Sequence, residues 1–305
     1  MDQNLPAFNY TDIVSRDPSV LQCLRNTCHN TGFFYLRHPE LTTGLLKTMF
    51  EQTRNFFALP AAEKNAIHLS LSRHFRGYSI LDEEETKGTP DHKETLDLGL
   101  ESPPSRSEID HHALRGPNQW PARCSGFREA CESYMEQLCL IGESLVKSLA
   151  LCLGLQEDTF SRHFIPPHCM LRLIAYPPVE PHSKINQGIG DHTDFGCLTI
   201  LAQDEVGGLE IRKANGTWIK ASPRPDCLVV NLGDMLELWT PITSWRRPIE
   251  SGVPGGTPPD TPYLSSSNPS STPWLHLWRR TLFLPLRERI LPFLLSTLFF
   301  TGSIC

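Results

Sequence analysis

In Gly188-Ile189-Gly190-Asp191-His192-Thr193-Asp194-Phe195-Gly196 an imidazole and a carboxylate stand two residues apart between glycines. On an extended backbone, residues i and i+2 point to the same side, so the side chains of His192 and Asp194 converge on one point. That is what two ligands to one divalent cation must do. The glycines at 188, 190 and 196 keep the flanking backbone bare and leave room for a ligand and water. One nitrogen and one oxygen donor, with no thiolate, suit non-haem Fe(II) when a second imidazole completes a facial triad and three positions stay open. Zinc is the competing metal. The tripeptide alone says little, because 12 His and 14 Asp in 305 residues give roughly half a chance match. The competing reading is a solvated turn carrying two polar side chains.

Around this stretch the sequence alternates with a period of two. Strands are expected at 170–176, 197–201, 209–212, 217–221, 227–232 and 235–239, separated by turn signals at Gly207-Gly208, Asn215-Gly216 and Gly233-Asp234. Many short strands at this spacing predict a sandwich or barrel of the jelly-roll kind. Upstream the period is helical. Residues 18–30 place Val20, Leu21, Leu24 and Cys28 on one face, and Gly32 ends that helix before an apolar strand at 33–36. Residues 42–59 repeat the pattern through Leu46, Met49, Thr53 and Phe56 until Pro60 stops it. A long amphipathic helix over 125–155 carries Phe127, Cys131, Tyr134, Leu138, Leu145 and Cys152 inward. Helical spacing accounts for these stripes as core.

The composition narrows the class. The chain is 39% hydrophobic and 20% charged, enough for a real core. Its net charge of −6 argues against a surface built for nucleic-acid phosphates or anionic lipid. None of the ten cysteines forms C-x-x-C, and the opening MDQNLPAFNYTDIV lacks a basic-then-apolar signal pattern. Free thiols and a cytoplasmic location are therefore expected.

At this point the chain resembles a known family. GIGDHTDFGCLTIL (188–201) and the run GGLEIRKANGTWIKASPRPDCLVVNLGDMLELW (207–239) are similar to the iron(II)- and 2-oxoglutarate-dependent oxygenases of the isopenicillin N synthase-like group. GFFYLRHP (32–39), LPAAEK (59–64), FRGYS (75–79), KETLDLG (93–99) and MLRLIAYPP (170–178) resemble that family's earlier blocks in the right order. The likeness covers residues 5–240. It implies an α+β fold: a helical N-terminal region over 1–120, then a long helix and a double-stranded β-helix, or jelly roll, over 121–240. It also implies His192 and Asp194 as Fe(II) ligands, and Tyr176 as hydroxyl donor to the carboxylate of 2-oxoglutarate. Ascorbate is the implied reductant, and a small organic molecule and O2 are the implied partners. The block that usually reads Asn-Tyr-Tyr-Pro is Ile174-Ala175-Tyr176-Pro177 here, which leaves plain strand packing open for Tyr176.

The chain departs from the family after residue 240. The resemblance leads one to expect a distal iron-binding His shortly after MLELWT and later an Arg-x-Ser pair for the far carboxylate of 2-oxoglutarate. The sequence reads PITSWRRPIESGVPGG, with Ile249 nearest the expected His and no Arg-x-Ser beyond it. His276, between apolar neighbours, is the only later histidine, and Arg246-Arg247 reads as a solvated pair. Residues 241–305 hold 10 Pro, 16 Ser or Thr and a net charge of +3, against −9 for residues 1–240. They read as a disordered, divergent tail, the product of an alternative coding end, so the closing strands of the barrel are expected to be missing. The apolar run 290–305 is shorter than the roughly 20 residues that span a bilayer. An unpacked apolar end is favoured there over a membrane anchor. A non-catalytic binding protein is the alternative to an enzyme.

The remaining histidines have plain readings. His92-Lys93-Glu94 is expected as a surface pair, and Asp110-His111-His112 as a solvated loop. His163, His168 and His182 flank strands near the barrel mouth, where substrate contact competes with packing. Neither a nucleophile elbow nor a phosphate-binding glycine loop is present.

Overall fold

A computed structural model of the chain describes residues 5–103, 114–165, 167–178, 187–239 and 248–252. The N-terminal half runs β1 (Ala7–Asn9), α1 (Tyr10–Ser15), α2 (Pro18–Asn30), β2 (Phe33–Arg37), α3 (Pro39–Thr43), α4 (Leu45–Phe57) and α5 (Ala61–Asn65). There follow β3 (Gly77–Ser79), β4 (Glu85–Thr86), β5 (Thr89–Pro90), β6 (Glu94–Gly99), α6 (Phe127–Cys152) and α7 (Asp158–Ser161). The second half contains β7 (Met170–Ala175), β8 (Ile189–His192), β9 (Leu198–Leu201), β10 (Leu209–Arg212), β11 (Trp218–Lys220), β12 (Cys227–Leu232), α8 (Asp234–Trp239) and β13 (Ile249–Ser251).

Local signals set the helix ends. Asp17 accepts from the amides of Ser19 and Val20, and Pro18 occupies the first turn, where its missing N–H costs nothing. Gly32, at φ 72°, then turns the chain into β2. The expected helix over 42–59 is divided at Gly44 into α3 and α4. The apolar stripes of α2, α4 and α6 meet in one cluster containing Leu24, Met49, Phe56, Phe127, Tyr134 and Leu145.

Two sheets face each other above these helices. One has the order β1-β2-β12-β9 and the other β11-β10-β13-β8. Alternation along β2 divides its side chains. Phe34 and Leu36 join the helical cluster, whereas Phe33 and Tyr35 point between the sheets toward Leu209, Ile211, Val229 and Ile249. A third sheet, β3-β6-β7, stands beside them, with β6 and β7 paired from Glu94↔Ala175 to Gly99↔Met170.

Three expectations change. Residues 235–239 form the helix α8 and not a strand, because Gly233 lies so close to Gly196 that a Cβ would fall 2.0 Å from its carbonyl oxygen. The ladder ends at that contact, and Met235 and Leu236 are both buried. The closing region is not wholly lost: β13 sits between β8 and β10 and completes a four-stranded sheet. Among the described residues no strand joins β9 to β7, so the barrel is not closed. His92 is buried and its Nδ1 lies 2.8 Å from the acceptor Oδ1 of Asp82, so it is no surface pair. The rest of the tail, with His276 and the candidate anchor, together with Arg246-Arg247, Asp110-His111-His112 and His182, lies outside the described residues.

Candidate metal centre

β8 ends at His192, and Asp194 lies just beyond it in the connection to β9. The two side chains still converge, with His192 Nε2 3.6 Å from Asp194 Oδ1. Donor distances of about 2.0–2.2 Å on each side sum to more than this separation, so one ion reaches both atoms. Their other atoms are already engaged. His192 Nδ1 lies 2.8 Å from the carbonyl of Gly190, a partner that fixes hydrogen on Nδ1 and leaves the Nε2 lone pair outward. Asp194 Oδ2 accepts from Thr199 Oγ1 at 2.5 Å and Asn231 Nδ2 at 2.8 Å, which leaves Oδ1 for the ion. This donor set fits Fe(II).

The turn carrying Asp194 is anchored by the segment after β12. The amides of Gly233 and Asp234 donate to the carbonyls of Cys197 and Asp194 at 3.0 and 2.8 Å, and Thr193 Oγ1 donates to Asp234 Oδ2 at 3.2 Å. Thr199 and Asn231 are direct cross-strand partners on β9 and β12. Asn231 was readable as the lone amide in an otherwise apolar strand, Cys227–Leu232.

Across the ladder from His192 stands Ile249 of β13, 6% exposed and packed with Ile211 and Leu209. It is directly opposite His192 and brings a hydrocarbon. Among the described residues no third His, Cys, Asp or Glu joins the pair.

Behind β8 runs a line of buried charges. Arg172 of β7 donates from Nε and Nη2 to both oxygens of Asp97 at 2.7 Å, and its Nη1 lies 3.1 Å from Glu84. Lys93 Nζ lies 2.9 Å from Glu84 and 3.1 Å from Asp91. Burial pushes the Glu84 carboxyl up, but Arg172 and Lys93 outweigh it and hold that group well below the usual carboxylate range. Arg172 gave no local signal, since it meets Asp97 and Glu84 only across 75 and 88 positions of chain.

Tyr176, the expected 2-oxoglutarate contact, is half-buried one residue past β7. A Cβ on Gly188 would come within 2.8 Å of its ring, so the bare glycine lets the ring lie against the start of the metal strand. Tyr176 and Ile174 help line a cavity of about 280 Å³ with Arg54 and Phe57 of α4 and Asp204 and Val206 of the β9–β10 connection. Neither His192 nor Asp194 lines it.

Residues 5–123 match the N-terminal family described for the non-haem dioxygenase in morphine synthesis, and residues 167–248 match the 2OG-Fe(II) oxygenase superfamily. The chain belongs to this superfamily, whose members are oxidoreductases using Fe(II) and 2-oxoglutarate. It is 34% identical over 252 residues to a homoarginine-6-hydroxylase of Oryza sativa subsp. japonica, covering 77% of each chain. It is 35% identical over 226 residues to a 2-oxoglutarate-Fe(II) type oxidoreductase of Emericella nidulans, covering 71% of this chain and 65% of that one. Among solved structures, a Neurospora crassa protein in complex with alpha-KG and thymine superposes with TM-score 0.72 at 25% identity, covering 83% of this chain and 81% of that one. JOX2 in complex with 2OG, Fe and JA superposes with TM-score 0.68 at 27% identity, covering 82% and 70%. No helix among the described residues is long and apolar enough to cross a membrane.

Proposed function

We propose that this chain oxidises a small organic molecule with Fe(II), 2-oxoglutarate and O2, holds the iron through His192 and Asp194, and works below the capacity of a three-ligand site. The observation that carries the proposal is the register at β13, where Ile249 faces His192 across the ladder. A metal held by two protein ligands is bound less tightly and completes its shell with water.

Fe(II) and 2-oxoglutarate, when bound, supply the activation of O2 for attack on a C–H bond. The chain's own residues bind and orient. Gly190 keeps hydrogen on Nδ1 of His192, and Thr199 with Asn231 turns one oxygen of Asp194 toward the ion. Ile249 and Ile211 form a dry wall on one side. Tyr176 would offer its hydroxyl to a carboxylate of 2-oxoglutarate. Hydroxylation is the reaction type that the relatives' names suggest.

The second reading, a non-catalytic binding protein, draws on the same apolar Ile249. Succinate release from 2-oxoglutarate, measured with Fe(II) and ascorbate, separates the two. Turnover well above a His192→Ala control is expected; equal rates in both proteins would leave only the non-catalytic reading.

A further inference from the structure

We infer that Asp91, held by Lys93, is a positioning residue that sets the His192 imidazole for metal through the backbone of Gly190; this rests on the reading of His192 as a ligand. Asp91 is 2% exposed and lies on the segment between β5 and β6, a hundred residues before the metal strand. Its Oδ1 accepts from the Gly190 amide at 3.0 Å and from Gln187 Nε2 at 3.3 Å. Its Oδ2 accepts from Thr86 Oγ1 at 2.9 Å and pairs with Lys93 Nζ at 3.1 Å. Four donors immobilise this carboxylate, and one of them is the backbone of β8 itself.

Gly190 joins the two halves of the device. Its N–H donates to Asp91 while its carbonyl lies 2.8 Å from Nδ1 of His192. A carboxylate, a glycine residue and an imidazole thus form one chain of hydrogen bonds ending at the lone pair that faces Asp194. Outer partners of this kind fix the tautomer and ring orientation of a metal-binding His. The glycine is required sterically, because a Cβ there would lie 2.8 Å from the Thr86 methyl carbon.

Lys93 fastens Asp91 to the neighbouring sheet. Its side chain is 1% exposed and sits between Asp91 and Glu84, and Glu84 continues to Arg172 on β7, which is clamped by Asp97 on β6. The first ligand is thereby referenced to the β6–β7 pair, which is independent of β13. This support does not pass through the position occupied by Ile249.

The test uses the full chain and Mn(II) as the probe, with titration of Mn(II) by electron paramagnetic resonance. Asp91→Ala is expected to weaken Mn(II) binding about 10–100-fold, the usual effect of losing an outer partner. Asp91→Asn keeps an oxygen for the Gly190 amide and is expected to recover most of that loss. Glu94→Gln is the stability control, since it breaks the largely buried Lys64–Glu94 pair on the other face of β6, 2.6 Å long. It should lower the melting temperature and leave Mn(II) affinity unchanged. In metal-free protein, carbon and nitrogen chemical shifts of His192 should report the Nδ1–H tautomer, and Asp91→Ala should shift the population toward Nε2–H. Unchanged affinity and tautomer in Asp91→Ala, while His192→Ala abolishes binding, would overturn this positioning role and leave the ligand standing. Mn(II) binding that survives His192→Ala would overturn both.

Discussion

Replacing Ile249 by His should give the proposed ferrous site a third protein ligand. Ile249 and His192 are antiparallel partners, and directly opposed side chains have Cβ atoms about 4.5–5.5 Å apart. Two imidazoles at that separation can close on one ion with bonds of about 2.0–2.1 Å. Losing an outer partner changes metal affinity about 10–100-fold, so a direct ligand should strengthen binding by at least about 100-fold. That ratio corresponds to about 2.7 kcal/mol. The metal-free variant should be less stable by about 1–3 kcal/mol, because an imidazole replaces a packed aliphatic side chain that is 6% exposed. Metal at about 100 times its dissociation constant returns about 2.7 kcal/mol. Calorimetric titration with Mn(II), beside thermal melts with and without metal, reads both quantities. Ile249→Ala controls for the loss of packing. Equal Mn(II) affinity in the wild-type chain and Ile249→His, with His192 and Asp194 intact, would refute the placement of position 249 beside the ion.

Two further outcomes follow from the surroundings of the site. Glu84 titrates below its unfolded value of about 4.3, so its ionised form stabilises the fold above that pH and the contribution is lost as pH falls toward the folded value. Melting temperatures should drop on acidification below about pH 4.3, and Glu84→Gln should be less stable at neutral pH, by about 1.5–3 kcal/mol, yet show a smaller acid-induced drop; parallel pH curves for both proteins would contradict the assignment. Gly233→Ala forces a methyl group to within 2.0 Å of the Gly196 carbonyl oxygen and 2.9 Å of that of Asp194. It should cost more than about 3 kcal/mol in denaturant titration and weaken Mn(II) binding with it, since the turn holding Asp194 must move; a variant of native stability and affinity would disprove that contact.

The elements that could be read from the sequence are those whose cause is local. α2 begins at Asp17-Pro18 and ends before Gly32, and β9, β10 and β12 fall where alternation and glycine turns put them. The helix α8 was misread because Met-Leu-Glu-Leu-Trp fits either period, and the deciding contact, Gly233 against Gly196, is tertiary. β13 was missed for a similar reason, since three residues after Pro248 have no pattern of their own and become a strand by pairing with β8 and β10. His192 and Asp194 were singled out by their spacing together with the family resemblance, although the strand stops at the first of them. Of their supports, Thr199 is five residues from Asp194, whereas Asn231 is 37 residues from it and Asp91, paired with Lys93, is 99 from Gly190, so these meet the site only in the fold. Position 249 was placed by family resemblance, and the ladder supplies the physical reason it matters.

Anaerobic Fe(II) binding to the 305-residue chain, compared with His192→Ala and Asp194→Ala, tests the ligand pair most directly. The account predicts one ferrous ion per chain, removable by mild chelation and lost in each variant. Retention of a full equivalent of iron by both variants would contradict it.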